Sequence, residues 1–376
     1  MKKLRRFLSA FAAAALIAAA CGFYALKIPT SFYCYPNENP AEEPLYTLEP
    51  LTSSEEEHYI AKVKLFGLLP IKDANVYQIA QKQLTVSGAP FGVKLYTKGC
   101  VVVDTVEGSP AVAAGIQTGD VILSYNGSEI GGNEELAAEV QASEGKKQQV
   151  IFQRNARRQT AWVTPAPNGE GGYTIGLWVR DSAAGLGTLT YYDPESGILA
   201  GLGHPITDAD TGQTLPVEEG TLVSAVVTGV KAGEKGVPGE LLGYLQKKEI
   251  GTLVANRKEG VFAIAAEAPD GPTYPIALKN EVRAGPAEIL CTVSGDQPRA
   301  FRVEITAINN NLMEERNLSI TVTDPELLKK TGGIVHGMSG SPILQGGKLV
   351  GAITHVLVEE PEKGYGILIE NMLAAG

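Results

Sequence analysis

The sequence has few of the residues that build metal or redox sites: four cysteines, four histidines and two tryptophans among 376 residues. The cysteines are isolated and lack the spacing of metal ligands, so the sequence predicts no metal and no cofactor. The net charge of -10 argues against nucleic acid or an anionic membrane surface as the main partner. Glycine and proline are abundant instead, at 43 and 22 residues, and they favour a mainly β chain with many turns over a helical bundle.

The longest uncharged run lies at the N-terminus, from Phe7 to Leu26, and follows a short basic segment. About 20 apolar residues suffice to cross a bilayer as a helix. Such a segment is either a cleaved signal peptide or a retained anchor. Because the run continues past Ala20, we predict a membrane-anchor helix over residues 1–30. In both cases the positive-inside rule places the rest of the chain outside the cytoplasm, either anchored or secreted.

Composition divides the remaining chain into three segments. Residues 31–78 combine a proline- and glutamate-rich stretch, Pro36–Glu57, with the apolar alternation of Tyr59–Ile71. The first predicts an extended, solvated linker and the second a strand that leads into a domain. Residues 79–166 form that domain and end in a proline- and glycine-rich stretch. Residues 167–376 carry many short strand candidates separated by turns, which favour a β-sandwich or a β-barrel.

The segment Thr331–Ile343 has the pattern of a strand that ends in a tight turn and presents one hydroxyl. Glycines on both sides of Ser339 allow backbone conformations that side chains forbid. They also expose amide N–H groups, and we expect those of Gly337 and Ser339 to form an oxyanion hole. Ser339 is therefore a candidate nucleophile, and a nucleophilic serine needs a base to activate it.

The four histidines limit the choice of that base. His204 lies in a glycine-rich loop that suits an accessible imidazole, and it is the candidate that we favour. His355, on the strand after the serine, is its rival. His336 precedes Ser339 by only three positions, which is awkward for reaching the same hydroxyl, and His58 lies in the acidic linker region.

Three aspartates remain open as the acid that orients the imidazole and stabilises its cation. Asp324 ends an apolar-alternating strand and precedes Pro325, so capping a helix N-terminus is an equally good explanation for it. Asp208 and Asp210 follow His204 closely in the sequence. Spacing alone does not choose among the three.

The segment Gly108–Ile122 resembles the PDZ domains that are attached to bacterial exported proteases. Ser109 and Pro110 predict a short capped helix in it. The resemblance implies an α+β PDZ domain over residues 79–166, which binds a C-terminal or internal peptide as an added strand. By the same resemblance, the peptide-binding loop and edge strand begin at Pro90, Phe91, Gly92 and Val93.

The histidine loop and the nucleophile segment together resemble the stage IV sporulation protein B family, PDZ-bearing serine peptidases of endospore-forming bacteria. The residues that carry this resemblance are Gly203–Ile206, Asp324, Thr331–Pro342, Val350–Val356 and Gly364–Leu373. The resemblance implies Ser339 as nucleophile, His204 as general base and Asp324 as its orienting acid. It also implies a chymotrypsin-like β-barrel peptidase domain over residues 167–376.

The resemblance further implies a serine endopeptidase of sporulation, located in the intermembrane space of the forespore. Its substrate there would be a regulatory protein in a membrane-bound complex, and cleavage would trigger processing of a late sigma-factor precursor. The PDZ domain would recognise the target or regulate activity. Two alternatives stay open: a non-catalytic PDZ adaptor on an anchored β-domain, and an esterase, which the resumed strand pattern after Pro342 disfavours.

Overall fold

The computed structural model describes residues 19, 21–26, 28, 30–36, 45–52, 57–78, 81–155, 157–169, 171–309 and 316–376. Within these residues the chain is mainly β. It divides into two compact units, one made of residues 1–83 and 275–282, and the other of residues 84–274 and 283–376. The first unit has a core of its own, separate from the cores of the second.

The described residues of the first unit include four strands: β1 (Ser31–Cys34), β2 (Tyr46–Pro50), β3 (His58–Leu65) and β4 (Leu69–Gln78). They form one sheet in the order β1-β4-β3-β2. Alternate residues of β3 are buried, from Tyr59 to Leu65, because successive side chains of a strand point to opposite faces. The single strand predicted over Tyr59–Ile71 is therefore two strands, with a turn at residues 66–68.

Part of the predicted linker is also a strand. Residues Tyr46–Pro50 pair with β3, and Tyr46 and Leu48 pack against the core of the first unit. An extended, solvated linker is the wrong description of this stretch, because its apolar side chains are covered by the sheet. Residues 37–44 and 53–56 of the predicted linker lie outside the described residues.

The predicted anchor over residues 1–30 lies mostly outside the described residues. Residues 21–26 are helical. In the part of the chain that the structure describes, no helix combines the length and the apolar character that a membrane crossing requires.

Six strands of the second unit form a first ring: β6 (Pro90–Thr105), β13 (Leu177–Asp193), β14 (Ile198–Gly201), β15 (Val217–Lys231), β16 (Glu240–Arg257) and β17 (Gly260–Ala265). The pairings β6–β15, β15–β16, β16–β17, β17–β14, β14–β13 and β13–β6 close it. Phe91, Leu95, Leu199 and Leu222 belong to its buried core. Two short strands, β5 (Gln83–Val86) and β18 (Thr273–Pro275), extend the sheet beyond β13.

Six further strands form a second ring: β19 (Gly285–Cys291), β20 (Arg299–Ile308), β21 (Leu318–Val322), β22 (Pro342–Gln345), β23 (Lys348–Leu357) and β24 (Glu360–Leu368). They close into a barrel in the order β19-β20-β21-β24-β23-β22. Helix α3 (Pro325–Thr331) connects β21 to β22, and α4 (Ile369–Ala375) follows β24. The prediction of a mainly β chain with a β-barrel in its C-terminal part is thereby confirmed.

The PDZ segment lies between β6 and β13 in the chain. It contains the helices α1 (Pro110–Ala113) and α2 (Asn133–Ala142) and the strands β7 (Val121–Tyr125), β8 (Ser128–Glu129), β9 (Gln148–Arg154), β10 (Arg157–Val163), β11 (Ala166–Pro167) and β12 (Tyr173–Thr174). Ser109 caps α1 and Pro110 begins it, as the sequence predicts. The core of this segment also includes Ile175, which follows the segment in the chain.

The predicted peptide-binding residues of the PDZ domain do not lie at a free sheet edge. Pro90, Phe91, Gly92 and Val93 are buried, and Phe91–Val93 pair with β13 on one side and β15 on the other. A Cβ at Gly92 would meet the side chain of Leu245 at 2.2 Å. With both edges of the strand paired and its faces packed, these four residues have no place for an added peptide strand, and the prediction is wrong for them.

Candidate active site

The second unit has a cavity of about 500 Å³ that brings together residues from both rings. His204 enters it from the loop after β14, in the first ring. His336, Gly337 and Ser339 enter it from the turn before β22, in the second ring. The predicted base and the predicted nucleophile therefore line one cavity, although they lie far apart in the sequence.

The turn that carries Ser339 has backbone conformations that favour glycine. Gly337 and Gly340 have φ of 95° and 94°. A Cβ at Gly340 would lie 1.9 Å from the carbonyl oxygen of Thr188, so no side chain fits there. The sequence predicts a tight turn that depends on glycine, and this dependence has a direct steric cause.

Ser339 is half-buried, and its Oγ donates a hydrogen bond to the carbonyl of Thr354, at 2.7 Å. A backbone carbonyl only accepts, so this bond holds the serine proton without removing it. Nucleophilic attack requires that the proton pass to a base instead.

Two amide groups of the turn point to no acceptor. Among the described residues, neither the N–H of Gly337 nor that of Ser339 donates a hydrogen bond, whereas Met338 N–H bonds to Val335 and Gly340 N–H to Ile353. These two amides are the ones that the sequence predicts as an oxyanion hole. Unpaired N–H groups next to a candidate nucleophile are what stabilisation of a tetrahedral oxyanion requires.

His204 is half-buried and has its ring fixed by its own neighbour. Nδ1 donates to the carbonyl of Pro205, at 2.9 Å, because that oxygen can only accept. The proton of the neutral imidazole is therefore on Nδ1, and Nε2 is left as the basic atom. This is the tautomer that a general base needs, and here a backbone carbonyl holds it.

His355 packs beside His204, with the ring centroids 5.1 Å apart. Burial, followed by the charges of His204 and Arg316, lowers the pKa of His355 to about 4. Its Nδ1 is buried and has no hydrogen-bond partner among the described residues. His355, the rival base of the sequence analysis, is thus neutral at neutral pH, but it is not among the described residues that line the cavity.

The other two histidines differ in position. His336 is exposed and lines the same cavity, although its position three residues before Ser339 predicts an awkward approach to the same hydroxyl. His58 lies in the first unit, where it stacks on Tyr77 and bonds to Asn75.

The structure does not bring Asp324 to the cavity. Its Oδ1 accepts from the N–H groups of Glu326 and Leu327, at 2.9 and 3.2 Å, as the N-cap of α3, and its Oδ2 faces Arg302. Burial raises the pKa of Asp324, but the backbone hydrogen bonds from Leu327, Arg302 and Glu326 outweigh it, and the net shift is downward. The capping role is what the contacts show, so the implied role as the acid of His204 has no support in this geometry.

Asp208 and Asp210 hold the loop that follows His204. Asp208 is buried and pairs with Arg180 at 2.5 Å, and Asp210 pairs with the same guanidinium at 2.6 Å. Oδ1 of Asp208 accepts from the N–H groups of Asp210 and Thr211. Burial raises the pKa of Asp208, but the hydrogen bonds from Thr211 and Asp210 and the charge of Arg180 outweigh it and lower it overall.

Sequence reasoning missed the residues that hold the site from the first ring. Thr188 and Thr190 of β13 are buried, and their hydroxyls bond to the carbonyls of Gly337 and Gly340. Their signal is visible in the sequence as two hydroxyl residues, two positions apart, within the apolar strand around Leu189. Alternate strand positions face the same side of a sheet, and each buried polar group there needs a hydrogen-bond partner.

The two closed rings bring a histidine from one ring and a serine turn from the other to a single cavity, which is the arrangement expected of a serine peptidase. Residues 171–373 match the family model for SpoIVB peptidase S55, and residues 86–164 match that for the PDZ domain. The chain therefore belongs to the SpoIVB peptidase S55 family. The PDZ match precedes the peptidase-family match in the chain.

Individual relatives match parts of the chain. A probable periplasmic serine endoprotease, DegP-like, from Hahella chejuensis is 28% identical over 183 residues, which are 48% of this chain and 36% of that protein. The chain thus spans little more than a third of the length of this curated relative.

Two solved structures are also similar in part. The active form of the Rv3671c protease from M. tuberculosis shares 13% identity and a TM-score of 0.32, over 51% of this chain and 72% of that one. The PDZ domain of the SdrC-like protein from Listeria monocytogenes shares 18% identity and a TM-score of 0.21, over 22% of this chain and 87% of that one.

Proposed function

We propose that this chain cleaves peptide bonds through an acyl-enzyme on Ser339, with His204 as the general base. The observation that supports this most is the shared cavity, into which both residues project beside two unpaired amides. In the proposed step, Ser339 Oγ leaves its hydrogen bond to Thr354, attacks the substrate carbonyl and passes its proton to Nε2 of His204.

The same residues account for the rest of the cycle. The N–H groups of Gly337 and Ser339 bind the oxyanion, and protonated His204 gives its proton to the leaving amine. Water then attacks the acyl-enzyme with His204 again as base. Through these steps the Pro205 carbonyl keeps Nδ1 protonated, and it is the orienting group in this proposal in place of the carboxylate of Asp324.

The substrate and location follow from the family and remain part of the proposal. The chain acts outside the cytoplasm, held at the membrane by its N-terminal segment or secreted, in the intermembrane space of the forespore. Its target is a regulatory protein of a membrane-bound complex, whose cleavage triggers processing of a late sigma-factor precursor. Support comes from the SpoIVB family match and from the periplasmic DegP-like relative. The PDZ domain recognises that target or regulates cleavage.

Labelling with a fluorophosphonate tests the nucleophile directly. The full chain should be labelled on Ser339, and Ser339→Ala should lose both labelling and cleavage of unfolded casein, by about 10⁴-fold or more. Ser128→Ala, in the hairpin of the PDZ segment, is the matched control and should behave as wild type. Unchanged labelling of Ser339→Ala would refute the proposal and leave a non-catalytic binding protein as the alternative.

A further inference from the structure

Thr188 contacts the nucleophile turn at two points. Its N–H donates to the carbonyl of Ser339 at 3.0 Å, and its Oγ1 donates to the carbonyl of Gly337 at 2.8 Å. Its own carbonyl accepts from Leu202 N–H at 3.3 Å, two residues before His204. One buried residue of the first ring thus touches the turn of the second ring and the loop of the base.

The direction of an amide N–H depends on the carbonyl in the same peptide group. Because the peptide is planar and trans, the N–H of one residue points away from the C=O of the residue before it. The carbonyl of His336 accepts from Leu241 N–H at 2.9 Å, and that of Met338 accepts from Ser341 N–H at 3.0 Å. Both bonds therefore turn the N–H of the following residue, Gly337 or Ser339, away from the protein backbone that holds the carbonyl.

Thr188 holds the peptide group between these two and the peptide group that follows them. Gly337 has φ of 95° and no side chain, so its backbone rotates at low cost unless a neighbour restrains it. The Thr188 hydroxyl restrains the carbonyl of Gly337, and the Thr188 N–H restrains that of Ser339. If the N–H of Gly337 or Ser339 rotates out of place, the neighbouring peptide groups have to rotate with it. That movement breaks their hydrogen bonds to Thr188.

We infer that Thr188 is the positioning residue of the oxyanion hole, which holds the turn in the form that leaves the amides of Gly337 and Ser339 free. The inference rests on the proposed function, in which Ser339 is the nucleophile. Thr188 contacts no reacting atom in this scheme. It acts on the rate through the geometry of two backbone donors.

Thr188→Val tests this, because it keeps the shape of the side chain and removes the donor to Gly337. Loss of a single oxyanion donor costs about 10²- to 10³-fold in kcat, and a turn that is misplaced part of the time should cost about 10- to 100-fold. We expect that loss in kcat for casein and in the rate of fluorophosphonate labelling, with KM within about threefold, because substrate binding is unchanged. Thr188→Ser, which keeps the hydroxyl, should restore the rate.

The control separates this role from general stability. Thr292 is equally buried, and its hydroxyl donates to the carbonyl of Gly88 at 3.1 Å, in the same unit and outside the cavity. Thr292→Val should lower the unfolding midpoint in urea as Thr188→Val does, with kcat unchanged. Thr188→Ala repeats the measurement if the valine variant does not fold.

The outcomes separate this inference from the proposed function. The inference is overturned if Thr188→Val and Thr292→Val have the same kcat, or if a rise in KM accounts for the whole effect. Loss of labelling in Ser339→Ala would still uphold Ser339 as the nucleophile in either case. Undiminished labelling of Ser339→Ala overturns the proposed function, and the inference with it. A kcat loss that Thr188→Ser reverses supports the positioning role.

Discussion

The nucleophile turn and the histidine loop are held in different ways. Each carbonyl of residues 336–340 accepts a hydrogen bond, and the donors come from β13, β16 and the turn itself. The loop of His204 depends on side chains: Asn256 bonds both backbone groups of Ile206, and Arg180 pairs with Asp208. Backbone N–H groups thus bond three of the five carbonyls of the turn, and threonine hydroxyls bond the other two. The loop of the base is held by the side chains of Asn256 and Arg180, each of which a single substitution can remove.

The largest effect should come from breaking the turn itself. Gly340→Ala places a Cβ 1.9 Å from the carbonyl of Thr188, and the turn has to move to admit it. We expect destabilisation of about 3–5 kcal/mol and no detectable cleavage of casein, measured with urea unfolding and initial rates.

Gly346→Ala is the matched control, because Gly346 also has a positive φ, 58°, but has open space around its Cβ position. It should cost roughly 1–2 kcal/mol and leave the rate unchanged. Equal losses in the two alanine variants would show that the contact with Thr188 is unimportant.

Arg180→Met should have a smaller effect, on the loop of the base. It leaves the buried carboxylate of Asp208 without its cation. We expect destabilisation of about 2 kcal/mol, which is less than for a fully buried ion pair because Arg180 is partly exposed. The loosened loop should lower kcat about 10- to 100-fold.

Arg299→Met provides the comparison for an exposed pair. Arg299 binds Glu326 at the surface through its two terminal guanidinium nitrogens. Both side chains of this pair are far more exposed than that of Asp208. Its loss should leave both the unfolding free energy and the rate close to those of wild type, because solvent screens an exposed pair. A rate for Arg180→Met that matches that of Arg299→Met would contradict the role of the Arg180 pair.

His355 should make stability depend on pH. Its pKa is about 4 in the folded chain and near 6.5 when unfolded, so the unfolded state binds the extra proton between those values. The stabilisation is fully present above about pH 6.5 and is lost as the pH falls towards 4. Urea midpoints measured across this range should fall less steeply for His355→Gln than for wild type. Parallel curves would show that His355 titrates normally.

The smallest effect should come from Asp324→Asn. Asparagine caps a helix about as well as aspartate, so the unfolding free energy should change little, whereas Asp324→Ala should cost about 1 kcal/mol. Because the contacts hold Asp324 away from the cavity, we expect the asparagine variant to cleave casein within about threefold of wild type. A loss of several orders of magnitude at unchanged stability would restore Asp324 as the acid of the site.

The sequence alone predicts the local features of the site better than the distant ones. The turn at Ser339 is predictable because its glycines stand where the backbone leaves no room for a side chain. The helix cap at Asp324 is predictable because Pro325 follows it. The pairing of Phe91 with β13 and β15 is not predictable from the sequence. Strand partners come from remote parts of the chain, and an apolar segment does not specify them. The same holds for Pro205, whose role depends on a carbonyl that every residue has.

The rate of phosphonylation at Ser339 in His204→Ala and His336→Gln tests the central claim most directly, because both histidines line the cavity. The account predicts that the full-length His204→Ala protein reacts at least about 10³-fold more slowly than wild type. It also predicts that His336→Gln reacts within about threefold of wild type. A normal rate in His204→Ala together with a slow rate in His336→Gln would contradict the assignment of His204 as the base.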